Sequence, residues 1–450
     1  MKRIAILGSG ESGLGAALLA KREGYAVWVS DAGKISDSRK AKLKEEKISF
    51  EEGVHSQEEI LNSDLIIKSP GIPDSVNIVK KALENGIPVI DELEFAFRYS
   101  SGKVIAITGT NGKTTTTLLT YHLLKNAGLD VGLAGNVGKS WAAQLLEGDH
   151  DWWVIECSSF QIDGFVCFKP AVALLTNITP DHLDRYEYKV DNYIQSKFGL
   201  FKNMSDEDQV IFNQTDPLTE IGLKTLSVKP KTYWFSSTSN INNGGSLNGE
   251  FLHWQLDDKV VQIPLSAMSL QGEHNIQNAL CAGLIALLVG VKKDTIQQSL
   301  GSFTNAPHRM ELVREIEGVK FINDSKGTNV EATAYALDAF QNPLIWIAGG
   351  VDKGNDYQTV KSIVEEKVKC LICLGKDNEK LKKAFHPLVG EIKETQDIKE
   401  AVRWGQLLAV PGDVVLLSPA CASFDLFKNY EDRGDQFRSA VKELKPETIA

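Results

Sequence analysis

The sequence predicts an α/β protein of three domains, each built on a mostly parallel sheet. The chain has 450 residues, which is enough for two or three domains at roughly 150 residues each. Short apolar strands alternate with helical segments along its length, and this alternation is typical of parallel sheets covered by helices. Two of the predicted strands lead directly into Gly-rich loops that precede helices, as in nucleotide-binding domains.

The composition is that of a globular protein and excludes several functional classes. Hydrophobic residues make up 42% of the chain, charged residues 24%, and the net charge is −10. This negative balance argues against a protein that coats nucleic acid or an anionic membrane. The longest apolar stretch, 279–291, is shorter than the roughly 20 residues that span a bilayer. The apolar run 4–7 stops at Gly8, so no signal peptide is predicted, and we expect a cytosolic protein.

The six cysteines are too few for a disulfide framework in a chain of this length. Cys370 and Cys373 have C-x-x-C spacing within a predicted buried strand. Residues three apart on a strand point to opposite faces, so the spacing does not predict a shared metal ion. We expect all six to be small hydrophobic residues.

The predicted elements divide the chain into three blocks at residues 1–100, 101–305 and 306–450. The first block has predicted strands at 3–7, 26–29, 65–67 and 88–90. The second has strands at 104–107, 152–155 and 172–175, a polar surface excursion at 236–249 and a closing helix at 274–290. The third has strands at 319–322, 344–348, 369–374 and 414–417. The first and third blocks are predicted to be Rossmann-like, and ligands are expected at the carboxyl ends of their strands.

The first Gly-rich loop, Gly8–Gly13, has the pattern G-x-G-x-x-G after the first strand. Asp31 ends the second strand, where the ribose of a dinucleotide is bound. This pattern indicates NAD, but the start of a helix holds any nucleotide diphosphate in the same way. A tight turn without a ligand is a third interpretation. The loop 68–73 follows another strand and is expected to face the same ligand.

The second Gly-rich loop, Thr108–Thr114, is a shortened phosphate-binding loop with two residues between Gly109 and Gly112. Backbone N–H groups and the helix dipole attract an anion at such a loop. Lys113 is expected to reach the outer phosphates of ATP or GTP, and the Thr114 hydroxyl to bind Mg²⁺.

Two further strands of the second block end in groups that suit a metal ion. Glu156 ends the apolar run 152–155, and Asp181 and His182 follow the strand at 172–175. Carboxylate oxygens are the ligands that Mg²⁺ prefers. A solvated strand-end charge is the alternative for Glu156, and a structural role is the alternative for His182.

Lys197 falls on the apolar face of a predicted helix at 192–202. On a helical wheel it lies between Tyr193 and Phe201. One interpretation is a lysine whose head group reaches out to water. The other is a lysine that loses its proton in an apolar environment and becomes open to covalent modification.

The third block carries polar loops after three of its strands, at 323–329, 348–354 and 417–424, and His308-Arg309 stands near its start. These loops are rich in Lys, Ser, Thr and Gly. Such groups suit a small acidic substrate.

With the loops 108–114, 323–329 and 418–424, the chain resembles the Mur ligase family over essentially its whole length. The 108–114 loop is shared with folylpolyglutamate synthases, whereas Asp324-Ser325-Lys326 and 418–423 are typical of the member that adds D-glutamate. The resemblance implies an ATP-dependent ligase of peptidoglycan synthesis that joins D-glutamate to UDP-N-acetylmuramoyl-L-alanine through an acyl phosphate. It implies ATP and two Mg²⁺ ions, and we expect a monomer without nucleic-acid or membrane partners.

The resemblance also implies roles for particular residues. Catalytic roles fall to Lys113, His182 and Lys197, the last as a carbamylated lysine. The implied ATP contacts are Gly109, Thr110, Asn111, Gly112, Lys113, Thr114, Thr115, Asn275, Asn278, Arg309 and Asp324. The UDP-substrate would meet Ser12, Asp31, Gly71 and Asn136, so the first loop would hold UDP and not NAD. D-Glutamate would meet Lys326, Thr328, Lys353, Ser423 and Tyr430, and the metal ions would meet Thr114, Glu156, His182 and Lys197.

Three positions depart from the family pattern. Gly327 replaces a more usual alanine, Gly33 stands where an arginine often helps to hold uracil, and Tyr430 stands where phenylalanine is common. Two other functions are considered. One is a different amide ligase of the same architecture, such as another Mur ligase or a folate-glutamylating enzyme. The other is an NAD-dependent dehydrogenase fused to a kinase-like domain.

Overall fold

A computed structural model describes residues 2–270, 272–352 and 354–445. These residues form three mostly parallel sheets, which confirms the predicted α/β class. They are arranged in two compact units, one with residues 2–270 and 275–303 and the other with 272–274 and 304–445. Within the described ranges, no helix has the length and apolar character needed to cross a bilayer.

The first sheet has the order β3-β2-β1-β4-β5, with all strands parallel. Its strands are β1 (Arg3–Leu7), β2 (Ala26–Asp31), β3 (Ser49–Glu52), β4 (Leu65–Lys68) and β5 (Val89–Ile90). Its helices are α1 (Glu11–Arg22), α2 (Asp37–Glu45), α3 (Gln57–Leu61), α4 (Asn77–Glu84) and α5 (Glu92–Phe97). The strand order reverses between β1 and β4, so the loops after these two strands border one crevice.

The second sheet has the order β14-β13-β12-β11-β10-β9-β6-β8-β7. Its strands are β6 (Lys103–Thr108), β7 (Val131–Gly135), β8 (Trp152–Glu156), β9 (Val172–Leu175), β10 (Gln209–Asn213), β11 (Lys231–Ser236), β12 (Gly244–Asn248), β13 (Phe251–Leu256) and β14 (Lys259–Pro264). Its helices are α6 (Lys113–Asn126), α7 (Trp141–Gln144), α8 (Ser159–Ile162), α9 (Val190–Phe198), α10 (Pro217–Leu223), α11 (Glu273–Leu288) and α12 (Lys293–Ser302). The expected surface excursion at 236–249 is wrong in part, because β12 lies inside it and pairs with β11 and β13. The sequence did not predict this strand because glycine and asparagine have low strand propensity.

The first two sheets lie in one unit and share an apolar core. Buried carboxylates of α5 join them. Glu92 accepts hydrogen bonds from Ser140 Oγ and from the Ala142 N–H, both at 2.7 Å, and Glu94 accepts from the backbone N–H groups of 166–168. Burial raises the pKa of Glu92 to about 7. These contacts connect α5 of the first sheet to residues 140–142 and 166–168, which follow strands of the second sheet.

The third sheet forms the second unit, with the order β15-β16-β20-β17-β18-β19. Its strands are β15 (Glu311–Ile316), β16 (Val319–Asn323), β17 (Leu344–Ala348), β18 (Val368–Leu374), β19 (Glu391–Thr395) and β20 (Val414–Leu417). Its helices are α13 (Val330–Asp338), α14 (Lys361–Lys367), α15 (Glu379–Phe385), α16 (Ile398–Leu408) and α17 (Tyr430–Glu443). Cys370 and Cys373 belong to different apolar clusters, which confirms the prediction that they point to opposite faces of this sheet. The domain boundaries near 100 and 305 stay predictions.

Candidate active site

The second Gly-rich loop connects β6 to α6, and its backbone requires glycine at two positions. Gly109 has φ 144°, and a Cβ atom there would lie 1.9 Å from Thr176 Oγ1. Gly112 has φ 81° and forms the N-cap of α6. It has no side chain to cap the first N–H groups of this 14-residue helix. The loop therefore has the backbone of a phosphate-binding loop, as its sequence predicts.

Two lysines share one carbonyl oxygen of this loop. Lys113 Nζ donates to Gly109 O at 2.8 Å and to Thr110 O at 2.7 Å, and Lys197 Nζ donates to Gly109 O at 2.8 Å. Lys197 is only 1% exposed, so it does not reach out to water. Burial lowers the pKa of Lys197 well below its ordinary value, and the neighbouring Lys113 charge lowers it further. A neutral amine is therefore favoured at Lys197.

The helix that carries Lys197 is α9, which ends at Phe198 and continues as a 3₁₀ turn at Gly199–Phe201. The Lys197 Nζ also lies 4.7 Å from the centre of the Tyr193 ring. The Tyr193 hydroxyl is 3.1 Å from Thr110 Oγ1. Helix α9 thus packs its Lys197 side against the phosphate-binding loop, and the helical-wheel position of this lysine is confirmed.

Glu156 presents an open carboxylate oxygen beside the same loop. The strand register places it opposite Ile107 on one side and Gly135 on the other. Its Oε1 accepts a 2.7 Å hydrogen bond from the Asn136 side-chain amide. Its Oε2 is buried and has no hydrogen-bond partner among the described residues. An orphaned carboxylate oxygen of this kind suits a hard cation such as Mg²⁺.

His182 lies in the loop after β9, and this loop is tied to the phosphate-binding loop. Thr110 Oγ1 donates to Thr179 O at 3.0 Å, and the Asn111 N–H donates to Asn177 Oδ1 at 2.9 Å. His182 adopts φ 52°, and its ring packs edge-on against Phe160 at 5.0 Å. The loops after β6, β8 and β9 therefore meet at one edge of the sheet, as predicted.

A metal ion here would need ligands beyond a cluster of His, Cys, Asp and Glu side chains. Within the described ranges, no three His, Cys, Asp or Glu side chains are grouped so that they could hold one. The predicted metal ligands are the buried Thr114 hydroxyl, the Glu156 carboxylate, the His182 ring and a carbamylated Lys197. Phosphate oxygens of a nucleotide complete such sites. The residues present thus fit Mg²⁺ bound together with a nucleotide.

Two of the predicted ATP contacts, Asn275 and Asn278, lie on α11. Asn278 Oδ1 accepts from Thr116 Oγ1 at 3.0 Å, and its amide donates to Asn275 Oδ1 at 3.2 Å. A Cβ atom at Gly112 would lie 2.7 Å from Asn278 Oδ1. The structure therefore brings Asn278 against the phosphate-binding loop. Arg309 and Asp324, the other predicted contacts, belong to the second unit.

The predicted uridine site lies after β1 and β2. The Asp31 carboxylate accepts from the Ser9 N–H at 2.7 Å, from Ser9 Oγ at 2.6 Å and from the Gly33 N–H at 2.8 Å. Burial favours a higher pKa for Asp31, but these hydrogen bonds outweigh it and hold the pKa below its usual value. Ser12 is half-buried in the first turn of α1, and Gly71 is exposed after β4.

In the second unit, the predicted amino-acid contacts that the structure describes lie in the loops after β16 and β20 and at the start of α17. Ser418 Oγ donates to Asp324 Oδ2 at 2.8 Å, and burial raises the pKa of Asp324 to about 7. Lys326 Nζ lies 3.7 Å from the centre of the Tyr430 ring. Ser423 is buried and Thr328 is half-buried. Lys353 lies outside the described residues.

Gly327 leaves little room for a side chain. A Cβ atom there would lie 2.5 Å from Asp324 Oδ2 and 2.8 Å from Ser418 Oγ. Both atoms belong to the hydrogen bond just described. An alanine would have to displace that pair, so the departure from the family pattern matches the local packing.

Arg433 on α17 is a buried charged residue beside the predicted amino-acid contacts, and the sequence reasoning missed it. Its side chain is 1% exposed and donates to Ser325 Oγ and Ser325 O, both at 2.9 Å. It also contacts the carbonyls of Gly349 and Cys421 at 3.3 Å. It therefore holds together the loops after β16, β17 and β20. The signal was present, because Arg433 shares the buried face of α17 with Phe437 and Val441 at a spacing of four.

Comparisons with known sequences now identify the class of protein. Residues 107–286 match the Mur ligase middle domain and residues 308–421 match the "Mur ligase, glutamate ligase domain". The chain therefore belongs to the Mur ligase family.

The matches also extend to a particular member of the family. Residues 3–77 match the MurD N-terminal domain. The chain is 48% identical to the UDP-N-acetylmuramoylalanine–D-glutamate ligase of Christiangramia forsetii over 98% of this chain and 100% of that protein. It is 50% identical to the ligase of the same name from Cytophaga hutchinsonii, over 98% of this chain and 99% of that protein.

Solved structures share the fold at much lower identity. The UDP-N-acetylmuramate-alanine ligase of Thermotoga maritima aligns with a TM-score of 0.64 at 18% identity, over 99% of this chain and 100% of that one. The MurF ligase of the same organism, solved in complex with ADP, aligns with a TM-score of 0.61 at 15% identity, over 98% of both chains. These likenesses confirm the fold predicted from the resemblance.

Proposed function

We propose that this protein is an ATP-dependent ligase that adds D-glutamate to UDP-N-acetylmuramoyl-L-alanine in peptidoglycan synthesis. The observation that carries the proposal is the meeting of Lys113, Lys197, Glu156 and the His182 loop at one Gly-rich loop. The sequence identity to full-length ligases of this name supports the substrates. The chain would act as a monomer in the cytoplasm, where ATP is available.

The proposed sites follow the three sheets. The first sheet, with Asn136 of the second, binds the UDP-substrate through Ser12, Asp31 and Gly71. The phosphate-binding loop binds the ATP phosphates, and the other proposed nucleotide contacts are Asn275, Asn278, Arg309 and Asp324. The loops of the third sheet bind D-glutamate, and the proposed contacts are Lys326, Thr328, Lys353, Ser423 and Tyr430.

The reaction is an amide synthesis driven by phosphoryl transfer. The terminal carboxylate of the UDP-substrate attacks the γ-phosphorus of ATP, and ADP leaves. The amine of D-glutamate then attacks the acyl phosphate carbon, the amine loses a proton, and phosphate departs with the C–O bond electrons. Lys113 and the N–H groups at the start of α6 stabilise charge on the transferring phosphoryl group. Mg²⁺ held by Thr114, Glu156, His182 and a carbamylated Lys197 would add positive charge opposite the phosphate oxygens.

Phosphate release tests this function and separates its rivals. We expect release only when ATP, UDP-N-acetylmuramoyl-L-alanine and D-glutamate are all present, with one phosphate for each D-glutamate incorporated. Replacing D-glutamate by L-alanine, a diamino acid or a dipeptide tests the other Mur ligases. A folate acceptor with glutamate tests a folate-glutamylating enzyme, and NAD tests the dehydrogenase. Phosphate release that does not need D-glutamate would refute the proposal.

Arg433→Lys is expected to weaken D-glutamate binding selectively. A lysine keeps the charge but cannot make the separate hydrogen bonds of the guanidinium to the three loops. We expect KM for D-glutamate to rise about 10-fold, which corresponds to the loss of one charged hydrogen bond of roughly 1.5 kcal/mol, and KM for the UDP-substrate to stay within about 2-fold. Arg438→Lys, on the same helix but paired with Glu311 at 2.8 Å, is the matched control. Equal changes for both substrates would mean a general loss of folding and not a positioning role.

A further inference from the structure

Arg185 lies in a loop of the second sheet and contacts a loop of the first sheet. It ends the 3₁₀ turn Leu183–Arg185 in the loop after β9. Its guanidinium carbon lies 4.3 Å from the centre of the Phe160 ring. Its two terminal nitrogens lie 3.3 Å from Gly71 O and 3.4 Å from Pro70 O, in the loop after β4.

The charge of Arg185 is poorly compensated. Among the described residues no carboxylate lies within ion-pair distance of its guanidinium. Its two carbonyl contacts are longer than the usual 2.7–3.2 Å of an N–H···O hydrogen bond. Both acceptors are neutral carbonyls, so neither contact neutralises the positive charge. A planar guanidinium of this kind, placed over an aromatic ring, is suited to binding phosphate through two parallel hydrogen bonds.

The loop that Arg185 contacts has a second unfilled polar group. Ser69 Oγ is buried and has no hydrogen-bond partner among the described residues. It lies against the first Gly-rich loop, because a Cβ atom built on Gly8 would be only 2.4 Å away. That loop leads into the 12-residue helix α1, whose N-cap is Gly10. A donor hydroxyl, the positive end of a helix and the Arg185 cation therefore border the same short loop.

We infer that Arg185 binds the diphosphate of the UDP-substrate; the assignment rests on the proposed function. The Phe160 ring contacts both Arg185 and His182. A single aromatic ring thus positions a diphosphate-binding cation and an imidazole on the loop beside the ATP phosphates. Arg185 therefore couples binding of the substrate's diphosphate to placement of its terminal carboxylate.

Calorimetric titration of three full-length variants tests this inference. The probes are UDP, UDP-N-acetylmuramoyl-L-alanine and a non-hydrolysable ATP analogue. For Arg185→Gln we expect Kd for both uridine compounds to rise about 10-fold, which corresponds to ~1.4 kcal/mol, with unchanged affinity for the ATP analogue. Arg185→Lys should give a smaller loss, because it keeps the charge without the planar fork. Lys189→Gln removes a positive charge from the same loop, at an exposed residue paired with Glu187, and should change nothing.

The other outcomes overturn the assignment in distinct ways. Weaker binding of the full substrate with unchanged UDP affinity would place Arg185 on the substrate carboxylate instead of the diphosphate. A parallel loss for the ATP analogue, with a lower thermal unfolding temperature, would make Arg185 a structural residue. Unchanged affinities in Arg185→Gln, with normal binding and ligation by the wild type, would refute the inference alone. A wild type that binds no UDP-substrate would instead count against the proposed function.

Discussion

Lys113→Ala is expected to abolish ligation while the UDP-substrate still binds. The lysine lies at the start of α6 and is the cation nearest the predicted phosphate site on that helix. Loss of one charge-stabilising donor typically costs a factor of about 10² to 10³ in turnover. The fold should persist, because Gly109 O keeps its hydrogen bond from Lys197. Removing the Lys113 charge also removes one cause of the lowered pKa of Lys197.

The measurement is a single-turnover assay of ATP cleavage combined with titration of the UDP-substrate. Kd for that substrate should stay within about 2-fold of the wild-type value, because its proposed contacts lie mostly on the first sheet. Lys125→Ala is the matched control, since Lys125 is an exposed lysine at the far end of the same helix and its ammonium group contacts Tyr121, one turn earlier on that helix. Ligation at the normal rate by Lys113→Ala would refute the phosphate-binding role of the loop.

Much of the fold follows from local sequence signals. The strands before each polar loop are short, apolar runs that end at glycine or a polar residue, and β1, β6, β9 and β20 lie where the sequence predicts them. The Gly-rich loops were recognisable because positive φ angles and close backbone approach leave no alternative to glycine. By contrast, β12 was missed because its glycine and asparagine residues have low strand propensity, and its pairing with two neighbours decides its structure.

The candidate site was predictable where a motif or a helical period marks a residue, and not where distant contacts decide. Lys197 was recognised from its place on an apolar helical face. Arg433 was missed because it belongs to no recognised motif, and its place on a buried helical face does not show which groups it contacts. Arg185 has no sequence signal, and the sequence marks Glu156 only by its place at a strand end. The contacts of both residues depend on loops from separate strands that meet only in the folded chain.

Lys197 is expected to make the enzyme dependent on carbon dioxide at low pH. A neutral lysine amine reacts with CO₂ to give a carbamate and a proton, whereas a protonated amine has no lone pair to react. Burial and the Lys113 charge place the pKa of Lys197 well below its usual value, so more of the amine is in its neutral, reactive form than in an exposed lysine. As the pH falls towards that lowered pKa, the amine gains a proton and the carbamate is lost. Activity should therefore decline on the acid side, and added bicarbonate should restore it by mass action.

Rates measured with and without bicarbonate across the acid limb of the pH profile give the test. We expect Lys197→Ala to lose at least about 100-fold in turnover, as for loss of an oriented charge-stabilising group, and bicarbonate should not rescue it. Lys202→Ala is the control, because Lys202 is exposed and lies five residues further along the chain. If bicarbonate raises the rate of Lys197→Ala as much as that of the wild type, the effect arises elsewhere. If it changes neither rate, the carbamate at Lys197 is refuted and the buried amine acts only through its hydrogen bond to Gly109 O.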